Sequence, residues 1–461
     1  MKLNKLIETD LDISVKGIVD DSRLVKSGYI FVATRGFNVD HFNHIKDAID
    51  NGAVFLIVDR EIDFSFPHIL VDDINNYYKE LCLKYYDINL DEFNFIGITG
   101  TDGKTTTATI ISRLIENSAY IGTNGLTING KTISTSNTTP CISELYSDLR
   151  RIKDAGIKTV VMEVSSEALL HNRVDNIKFD IVGFTNITGD HLNVHGDFKN
   201  YLESKLKLLN LVKENGYVVV NNDDINLRKI KYKNIYSFGK KNANFIIKNI
   251  SFMGENVIIN IEYKDINYSI KSPLKGEYNV YNVVMAFIIG KLYGENVNIM
   301  INKIESLKPI SGRCEFLDFG QDFDIILDYA HTINGISSIL DTFRDHDTLI
   351  TVTGCAGGRE HKKRSVIGKM IMDKSDISIF TMDDPRYESV DSIIDEMVGQ
   401  NTDYIRIVDR EEAINYALDI APPNSALLIL GKGRDEYMAI KDKKYKYSDY
   451  EVIKKYFENR F

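Results

Sequence analysis

A lysine that follows a glycine-bracketed turn is the most chemically informative feature of the chain. An apolar run, residues 93–98, precedes Gly100-Thr-Asp-Gly-Lys-Thr105, and apolar residues with helical spacing follow at 108–115. A strand, a glycine turn and a helix in this order form a phosphate cradle, because backbone N–H groups of the turn and helix N-terminus point at anionic oxygens. The lysine can reach outer phosphates, and a threonine hydroxyl can ligate Mg²⁺. The stretch therefore predicts a nucleotide site.

The match to the usual P-loop pattern is incomplete. That pattern has a glycine at the position of Ile98, whereas Gly97 stands one place early. For this stretch alone, a turn that only caps a helix is the alternative interpretation. The motifs that follow along the chain favour the nucleotide site.

An acid at the end of a second apolar strand is a candidate metal ligand. The run Thr159-Val-Val-Met-Glu-Val-Ser-Ser166 places Glu163 there. A carboxylate in this position is costly unless a cation lies nearby, and in a nucleotide-binding α/β sheet we expect Mg²⁺. An acid paired with a lysine or arginine is the alternative. The loop after the next strand carries His191 and His195, which are as readily functional as structural beside a metal site.

Three α/β units must position these residues. A chain of 461 residues is too long for one core, and we divide it at 1–88, 89–309 and 310–461. In the central unit, strands that end at Thr99 and Thr185 would deliver their loops to one edge of a parallel sheet, where open α/β sheets bind ligands. The third unit repeats a strand–loop–helix pattern and is predicted to be Rossmann-like.

Composition excludes several classes of protein. A net charge of −10 argues against wrapping nucleic acid or coating an anionic membrane. The four cysteines are far apart and lack Cys-x-x-Cys spacing, as in a protein with reduced thiols. The N-terminus does not resemble a signal peptide, and no stretch reaches the ~20 apolar residues of a membrane span. We therefore expect a soluble cytoplasmic protein that neither binds nucleic acid nor inserts into a membrane, and separately we expect it to be a monomer.

A series of motifs in a fixed order resembles the Mur ligase family over nearly the whole chain. The motifs are Gly97-Ile-Thr-Gly-Thr-Asp-Gly-Lys-Thr-Thr-Thr107, Asn137-Thr-Thr-Pro140, Met162-Glu-Val-Ser-Ser166, Phe184-Thr-Asn-Ile-Thr-Gly-Asp-His-Leu192, Gly312-Arg-Cys-Glu315, Asp328-Tyr-Ala-His-Thr332, Asp383-Asp-Pro-Arg386 and Gly431-Lys-Gly433. With Asp21-Ser-Arg23, the series is closest to the MurE branch, the tripeptide synthetases. The resemblance implies an α/β fold of three domains: one that binds the UDP-substrate, a central P-loop-type ATPase sheet, and a Rossmann-like C-terminal domain for the incoming amino acid.

The resemblance also implies an activity, which is ATP-dependent amide ligation in peptidoglycan biosynthesis. In this family ATP phosphorylates the terminal carboxylate of UDP-MurNAc-L-Ala-D-Glu, and the amine of a diamino acid then attacks the acyl phosphate. The implied cofactors are ATP and Mg²⁺, and the implied partners are the UDP-MurNAc-dipeptide and the diamino acid. Phosphoryl transfer depends on positioning and charge neutralisation, which agrees with a lysine, acids and Mg²⁺ at one sheet edge.

Several residues fall on the family's nucleotide and metal positions. The catalytic residues implied are Lys104, Glu163, His191 and Lys205. The metal ligands implied are Thr105, Glu163, His191 and Lys205. Lys205 falls where most members carry a carbamylated lysine, and a plain surface lysine beside Lys207 is the alternative. The ATP contacts implied are Gly100, Thr101, Gly103, Lys104, Thr105, Thr106, Asn282, Arg313, Asp328 and His331.

Other residues fall on the substrate positions. The contacts implied for the UDP-substrate are Ser22, Thr138, Thr139, Ser165 and Arg173, and those for the amino acid are Asp384, Arg386, Gly431 and Asp435. An arginine at position 386 pairs with the distal carboxylate of meso-diaminopimelate, which lysine lacks. Arg386 therefore favours diaminopimelate, although Asp-Asp-Pro-Arg also resembles a variant that accepts L-lysine.

The chain departs from the family pattern at several positions. The departures are Asp102 for asparagine, Glu167 for histidine, Gly189 for arginine, and Arg434-Asp435 for His-Glu. They leave open the hypothesis that the protein is a paralogous ligase, which joins another amino acid or uses another carboxylate acceptor. A third hypothesis is a nucleotide-gated binding protein that ligates nothing, and the retained Lys104 and Lys205 argue against it.

Overall fold

The structure is a computed structural model, and it describes residues 1–35, 40–190, 192–254 and 256–459. Up to residue 92 the elements are β1 (Gly17–Val19), β2 (Tyr29–Val32), α1 (Ile45–Asp50), β3 (Ala53–Val58), β4 (His68–Leu70) and α2 (Ile74–Tyr86). From 93 to 211 they are β5 (Asn94–Thr99), α3 (Lys104–Leu114), β6 (Ser118–Gly122), β7 (Gly125–Ile128), β8 (Lys131–Ile133), α4 (Ile142–Asp154), β9 (Thr159–Glu163), α5 (Ser166–Leu170), β10 (Phe179–Phe184), α6 (Leu192–His195) and α7 (Phe198–Leu206).

From residue 212 the chain continues with strands and then alternates strands and helices. Up to 309 the elements are β11 (Val212–Asn221), β12 (Ile235–Gly239), β13 (Phe245–Met253), β14 (Asn256–Tyr263), β15 (Ile266–Ser272), α8 (Glu277–Tyr293) and α9 (Val297–Glu305). The remainder are β16 (Glu315–Leu317), β17 (Asp324–Asp328), α10 (Ile333–Phe343), β18 (Leu349–Thr353), α11 (Lys362–Lys374), β19 (Ile377–Phe380), α12 (Val390–Val398), β20 (Ile405–Arg406), α13 (Arg410–Ile420), β21 (Ala426–Leu430), β22 (Tyr437–Ile440), β23 (Lys443–Lys446) and α14 (Asp449–Glu458).

The Cα positions divide the chain into two compact units. The first comprises residues 1–97, 116–182 and 207–216, and the second comprises 98–115, 183–206 and 217–461. The predicted domain bounds, at 88/89 and 309/310, stay a prediction. Of the described helices, none combines the length and apolar character needed to cross a membrane.

The first unit contains a small parallel sheet and part of a larger one. Strands β1 to β4 pair in chain order, and all three pairings are parallel. Residues 30–32 of β2 and 55–58 of β3 are buried without alternation, because both faces of a parallel sheet are covered. In the larger sheet the strand order is β10–β5–β9–β6–β7–β8, with β6 parallel to β9 and antiparallel to β7.

The C-terminal part of the second unit is a six-stranded sheet in the order β16–β17–β21–β18–β19–β20. Every pairing is parallel except that of the edge strand β16 with β17. Alternate residues serve two cores: Ile326 and Leu428 pack with α10, α11 and α12, whereas Ile325 and Leu427 pack with α13 and α14. The parallel sheet covered by helices on both faces confirms the predicted Rossmann-like arrangement.

A buried ion pair supports one strand end of this sheet. The guanidinium of Arg410 donates from Nε and Nη2 to the two carboxylate oxygens of Asp449, both at 2.8 Å, and neither side chain is exposed. Nη2 of Arg410 also donates to the carbonyl oxygen of Leu430, the last residue of β21, at 2.8 Å. The pair thus joins α13 and α14 beneath the Gly431-Lys-Gly433 motif.

We expect Asp449→Asn to lower the free energy of unfolding by about 3–5 kcal/mol, because it leaves the Arg410 charge buried without a counter-charge. Since the chain has no tryptophan, urea unfolding is best followed by far-UV circular dichroism. Glu458→Gln is the matched control. It breaks an exposed pair with Lys454, at 3.6 Å, and should change stability by less than about 1 kcal/mol. Equal losses in the two variants would contradict the prediction.

Candidate functional site

The predicted strand–turn–helix is confirmed, and its glycines are required by close approach. A Cβ on Gly100 would lie 1.8 Å from Oγ1 of Thr185, and one on Gly103 would lie 2.4 Å from Oδ1 of Asn282. Gly103 also has a left-handed φ of +82° immediately before α3 begins. Gly97, by contrast, makes room for the ring of Phe179 at 2.8 Å, so this glycine serves strand packing. The spacing that departs from the P-loop pattern therefore lies in the strand, and the loop itself keeps its two glycines.

The loop is held by the segment that follows β10. The backbone N–H of Thr101 donates to the carbonyl oxygen of Asn186 at 2.8 Å, and that of Asp102 donates to the Asn186 side-chain oxygen at 2.9 Å. The Thr101 hydroxyl donates to the carbonyl oxygen of Thr188 at 3.0 Å and lies 2.9 Å from the Tyr201 hydroxyl. These bonds fix the backbone that a phosphate would contact.

Two lysine amines converge on one carbonyl oxygen of this loop. Nζ of Lys104 donates to Gly100 at 3.0 Å and to Thr101 at 2.8 Å, while Nζ of Lys205 donates to Gly100 at 2.7 Å. Lys205 is 1% exposed, so the alternative of a plain surface lysine is wrong. Burial, and then the charge of Lys104, hold the pKa of Lys205 well below its usual range. A lowered pKa favours the neutral form of the amine, which is the form that reacts with CO₂.

Residues from the next elements reach the first turn of α3. Nη2 of Arg313 donates to the Thr105 hydroxyl at 2.9 Å, and its guanidinium lies 4.9 Å from the ring centre of Tyr329. Asn282 of α8 accepts a hydrogen bond from the hydroxyl of Thr107 at 3.2 Å. Thr106 is buried here as well. The implied ATP contacts at Arg313 and Asn282 are thus adjacent to the phosphate loop.

Asp328 and His331, two further implied ATP contacts, make hydrogen bonds to nearby backbone groups. The Asp328 carboxylate accepts from the backbone N–H groups of Cys314 at 2.6 Å and Ala330 at 2.7 Å, and burial raises its pKa. It therefore fixes the backbone next to Arg313. Nδ1 of His331 donates to the carbonyl oxygen of Tyr329 at 2.8 Å, and the rest of the ring is exposed.

A cavity of about 730 Å³ begins at Asp102 and Gly103 of the loop. Its walls include Asn282 together with aromatic residues that the sequence analysis did not identify, namely Phe238, Phe252, Tyr278, Tyr281, Phe343 and His346. The volume lies in the range of small-molecule sites. A signal was present for two of these residues, because Tyr278 and Tyr281 have helical i, i+3 spacing just before Asn282.

The predicted metal ligand His191 lies outside the residues that the structure describes. Its neighbour Asp190 is 3.5 Å from Nζ of Lys363 and 3.9 Å from Nε2 of His331. The other histidine of the loop, His195, is buried and packs edge-on against the Tyr201 ring, with 5.3 Å between centroids. We assign His195 a packing role.

Within the first unit, Glu163 ends β9 as predicted and is 0% exposed. Its carboxylate accepts hydrogen bonds from the Tyr120 hydroxyl at 2.5 Å and from the backbone N–H and hydroxyl of Thr123 at 2.9 and 3.3 Å. A Cβ on Gly122 would lie 2.2 Å from this carboxylate. Tyr120, Gly122 and Thr123 were not identified from the sequence, because nothing in their local pattern points to Glu163.

Four of the implied UDP-substrate residues lie together in the same unit. The Thr139 hydroxyl donates to the Glu163 carbonyl oxygen at 2.9 Å and accepts from the Ser165 N–H at 2.9 Å. Nη1 of Arg173 donates to the Thr139 carbonyl oxygen at 3.1 Å. The hydroxyl of Thr138 lies 3.0 Å from that of Thr123. The fifth residue, Ser22, is buried beside the small parallel sheet, where its carbonyl oxygen accepts from Asn51 at 3.0 Å.

Lys432, which the sequence analysis did not assign to the site, joins the implied amino-acid residues. This lysine is 1% exposed, and its Nζ lies 2.9 Å from Asp384, 3.8 Å from Asp383 and 3.7 Å from Asp435. Asp435 accepts from the Tyr329 hydroxyl at 2.7 Å, and burial raises its pKa. Gly431 has a φ of +106°, and a Cβ on it would lie 2.9 Å from Asp383. One ammonium therefore faces three carboxylates.

Arg386 is held by its backbone, and its guanidinium remains available. Its N–H donates to the Ala439 carbonyl oxygen at 3.1 Å, and its own carbonyl oxygen accepts from Lys441 at 2.8 Å. The residue has a φ of +52°, which is unfavourable for any residue other than glycine. Such strained backbone conformations cluster at functional sites. Within the described part of the chain, no carboxylate forms an ion pair with the Arg386 guanidinium. An anionic ligand group could therefore pair with it.

Three departures from the family pattern have local structural partners. Asp102 accepts from the hydroxyl of Thr332, the N-cap of α10, at 2.9 Å. Arg434 donates to both carboxylate oxygens of Glu315, at 2.9 and 2.7 Å. Glu167 lies in the first turn of α5, where the helix dipole favours an acid. Gly189 has no described atom within 4 Å of a Cβ built on it, so space remains at the position of the family's arginine.

Comparison with known proteins agrees with this arrangement. Residues 98–290 match the Mur ligase middle domain, and residues 312–433 match the domain described as Mur ligase, glutamate ligase domain. The UDP-N-acetylmuramoyl-L-alanyl-D-glutamate–2,6-diaminopimelate ligase of Fusobacterium nucleatum subsp. nucleatum is 34% identical, over 98% of this chain and 95% of that protein. The corresponding L-lysine ligase of Staphylococcus epidermidis is 33% identical, over 93% of this chain and 90% of that protein.

Solved structures confirm the predicted fold class. A UDP-N-acetylmuramoyl-L-alanyl-D-glutamate–2,6-diaminopimelate ligase superposes with a TM-score of 0.64 and 24% identity, covering 100% of this chain and 99% of that one. The MurF ligase of Thermotoga maritima in complex with ADP has a TM-score of 0.70 and 20% identity, covering 97% of this chain and 99% of that one. Together with the two domain matches and the relatives that align over nearly its full length, these likenesses show that the chain belongs to the Mur ligase family.

Proposed function

We propose that the protein is an ATP-dependent amide ligase of peptidoglycan biosynthesis, which adds meso-diaminopimelate to UDP-MurNAc-L-Ala-D-Glu. Its membership of the Mur ligase family and the names of the relatives support the reaction class. The observation that carries the proposal is the glycine loop with Lys104 and the buried Lys205 on one carbonyl oxygen. Action in the cytoplasm as a monomer, without nucleic acid or membrane insertion, stays a prediction.

The nucleotide end of the reaction is assigned to the loop and the cavity that begins there. Lys104 is proposed to neutralise the outer phosphates of ATP, and the N–H groups at the start of α3 are proposed to contact them. Further ATP contacts are assigned to Gly100, Thr101, Gly103, Thr105, Thr106, Asn282, Arg313, Asp328 and His331. The cavity of about 730 Å³ is proposed to hold the nucleoside.

The donor groups fit Mg²⁺, which prefers oxygen ligands. The Glu163 carboxylate is buried and oriented by Tyr120 and Thr123, and Thr105 is 3% exposed. We assign metal binding to these two residues, to Lys205 in carbamylated form, and to His191. When bound, Mg²⁺ would neutralise phosphate charge.

The proposed chemistry has two steps. The acceptor carboxylate attacks the γ-phosphorus of ATP, so that the bond to ADP breaks and an acyl phosphate forms. The diamino acid's amine then attacks the acyl carbon, phosphate leaves, and the amine proton is released. Positioning of the acceptor is assigned to Ser22, Thr138, Thr139, Ser165 and Arg173, and the rate gain comes mainly from this alignment and from charge neutralisation.

The incoming amino acid is assigned to the cluster around Lys432. Asp384 and Asp435 would accept hydrogen bonds from its ammonium group, next to Gly431, while the Arg386 guanidinium would pair with the distal carboxylate of diaminopimelate. Burial raises the pKa of Asp435, which makes its carboxylate a better proton acceptor for the attacking amine. The shorter acid at this position remains oriented by Tyr329.

A second candidate function is a ligase on the same fold with L-lysine or a different carboxylate acceptor. The L-lysine ligases among the relatives support the first variant, and the departures from the family pattern at Glu167 and Gly189 motivate the second. ADP release by the purified protein distinguishes them. Release that requires UDP-MurNAc-L-Ala-D-Glu and diaminopimelate supports the main proposal. Release with lysine instead corrects the amino acid, and no acceptor-dependent release rejects this acceptor. Lys104→Ala should abolish turnover.

We expect Arg386→Ala to lower kcat/KM for diaminopimelate by a factor that corresponds to about 1–3 kcal/mol, because a charge-assisted pair is lost. Turnover of lysine should not fall. Steady-state ADP release with varied diaminopimelate measures the effect. Arg406→Ala is the control, since Arg406 pairs with acids of α12 on the edge of the same sheet. Unchanged diaminopimelate kinetics in Arg386→Ala would show that the pocket is assigned wrongly.

We expect Lys205→Ala to lose activity and to regain part of it in the presence of short-chain carboxylic acids. The added acid would replace the carboxylate that carbamylation supplies. ADP release with and without acetate or formate measures the rescue, and Lys207→Ala, which changes an exposed lysine two residues away, is the control. Activity that is lost in Lys205→Ala and stays absent at every acid concentration argues against carbamylation.

A further inference from the structure

Phe252 at the end of β13 combines an inward orientation with an exposed ring. Its register partner on β14 is Val257, which is 1% exposed and lies on the inward face with Ile259 and Ile261. Side chains of directly opposed residues share a face of the sheet. Phe252 therefore points to the inner side of the sheet, yet it is 58% exposed.

A β-bulge is the reason for this orientation. The pairing of β13 with β14 shifts by one residue between Ile247 and Asn249. Before the shift Phe245 and Ile247 are buried, and after it the even-numbered residue Phe252 faces the same way. Because side chains alternate along a strand, a one-residue insertion moves a set of side chains to the other face. Bulges commonly re-aim a side chain next to a site in this manner.

The ring of Phe252 lines the cavity that begins at the phosphate loop. The same cavity is also lined by Gly103, Asn282 and Val257. Two other aromatic residues of the cavity have partners, since the Tyr281 hydroxyl donates to Asp223 at 2.8 Å and Phe343 lies 5.7 Å from His346. In the described ranges, no ring–ring contact involves Phe252. Its face is open toward the cavity.

We propose that Phe252 stacks on the purine base of the nucleotide and so contributes to ATP affinity. The inference rests on the proposed ATP-dependent function, which places the phosphates at Lys104 and the nucleoside in the cavity. Every base has a π-face, and stacking on an aromatic side chain stabilises it without a hydrogen-bond partner. The flat exposed ring at the end of the re-aimed strand supplies such a surface.

The test compares Phe252→Ala with Met253→Ala in the full-length protein. Met253 is the neighbouring residue, is 61% exposed, and points to the opposite face of the strand. Isothermal titration calorimetry with ADP should show affinity about tenfold weaker in Phe252→Ala, a ratio within the range of base–aromatic stacking. Met253→Ala should stay within about twofold of wild type, and Phe252→Tyr should retain wild-type affinity.

Tripolyphosphate separates stacking from structural damage, because it offers phosphates without a base. The inhibition constant of tripolyphosphate, measured by its competition with ATP in the ADP-release assay, should be equal in wild type and Phe252→Ala. The inference would be overturned if Phe252→Ala weakened the affinities for tripolyphosphate and ADP equally. It would also be overturned if Phe252→Ala left the ADP affinity unchanged. Should the wild-type protein itself fail to bind ADP, the proposed function falls with it. Binding by wild type with no change in the variant rejects only the role of Phe252.

Discussion

The arrangement of the nucleotide site depends on two lysine amines that share the carbonyl oxygen of Gly100. Two ammonium groups this close in a buried setting repel one another, and the pKa of the group that is less exposed to water falls further. Lys205 is that group, being 1% exposed. Lys104 has a shallower position, and its Nζ also donates to the carbonyl oxygen of Thr101. One backbone atom thus holds both amines, while burial and the charge of Lys104 lower the pKa of Lys205.

The elements of the fold could be predicted from the sequence where a pattern is local. Apolar runs with glycine turns gave the bounds of β5, β9 and β17 to within a few residues, and lysine after glycine marked the start of α3. The partners of Glu163 could not be found in this way. Tyr120 and Thr123 lie about forty residues earlier, and only the pairing of β6 with β9 brings them to the carboxylate. Nonlocal pairing is not encoded in local periodicity.

The same distinction explains the departures from family motifs. From the sequence, the departures at Asp102 and Arg434 left open a ligase with another amino acid or another acceptor. In the structure Asp102 accepts from the N-cap hydroxyl of α10, and Arg434 is held by Glu315. A charge that already has a partner contributes less to ligand selection than one without. Under the proposed function, the guanidinium of Arg386 is therefore expected to contribute more to the choice of amino acid than either substitution.

The C-terminal sheet shows why its chemistry is confined to strand ends. Along β17 and β21, successive side chains pack alternately into one hydrophobic core or the other. No side chain in the middle of these two strands is therefore available to contact a ligand. At the end of β21, Arg410 of the Arg410–Asp449 pair donates a hydrogen bond to the carbonyl oxygen of Leu430. The chain then turns at Gly431, which has a φ of +106°. That turn directs Lys432 toward Asp383 and Asp384, which follow β19, the strand beyond β18 in the sheet. The strand interiors of β17 and β21 are thus committed to packing, and a charged cluster supported by them is held in a defined geometry at the strand ends.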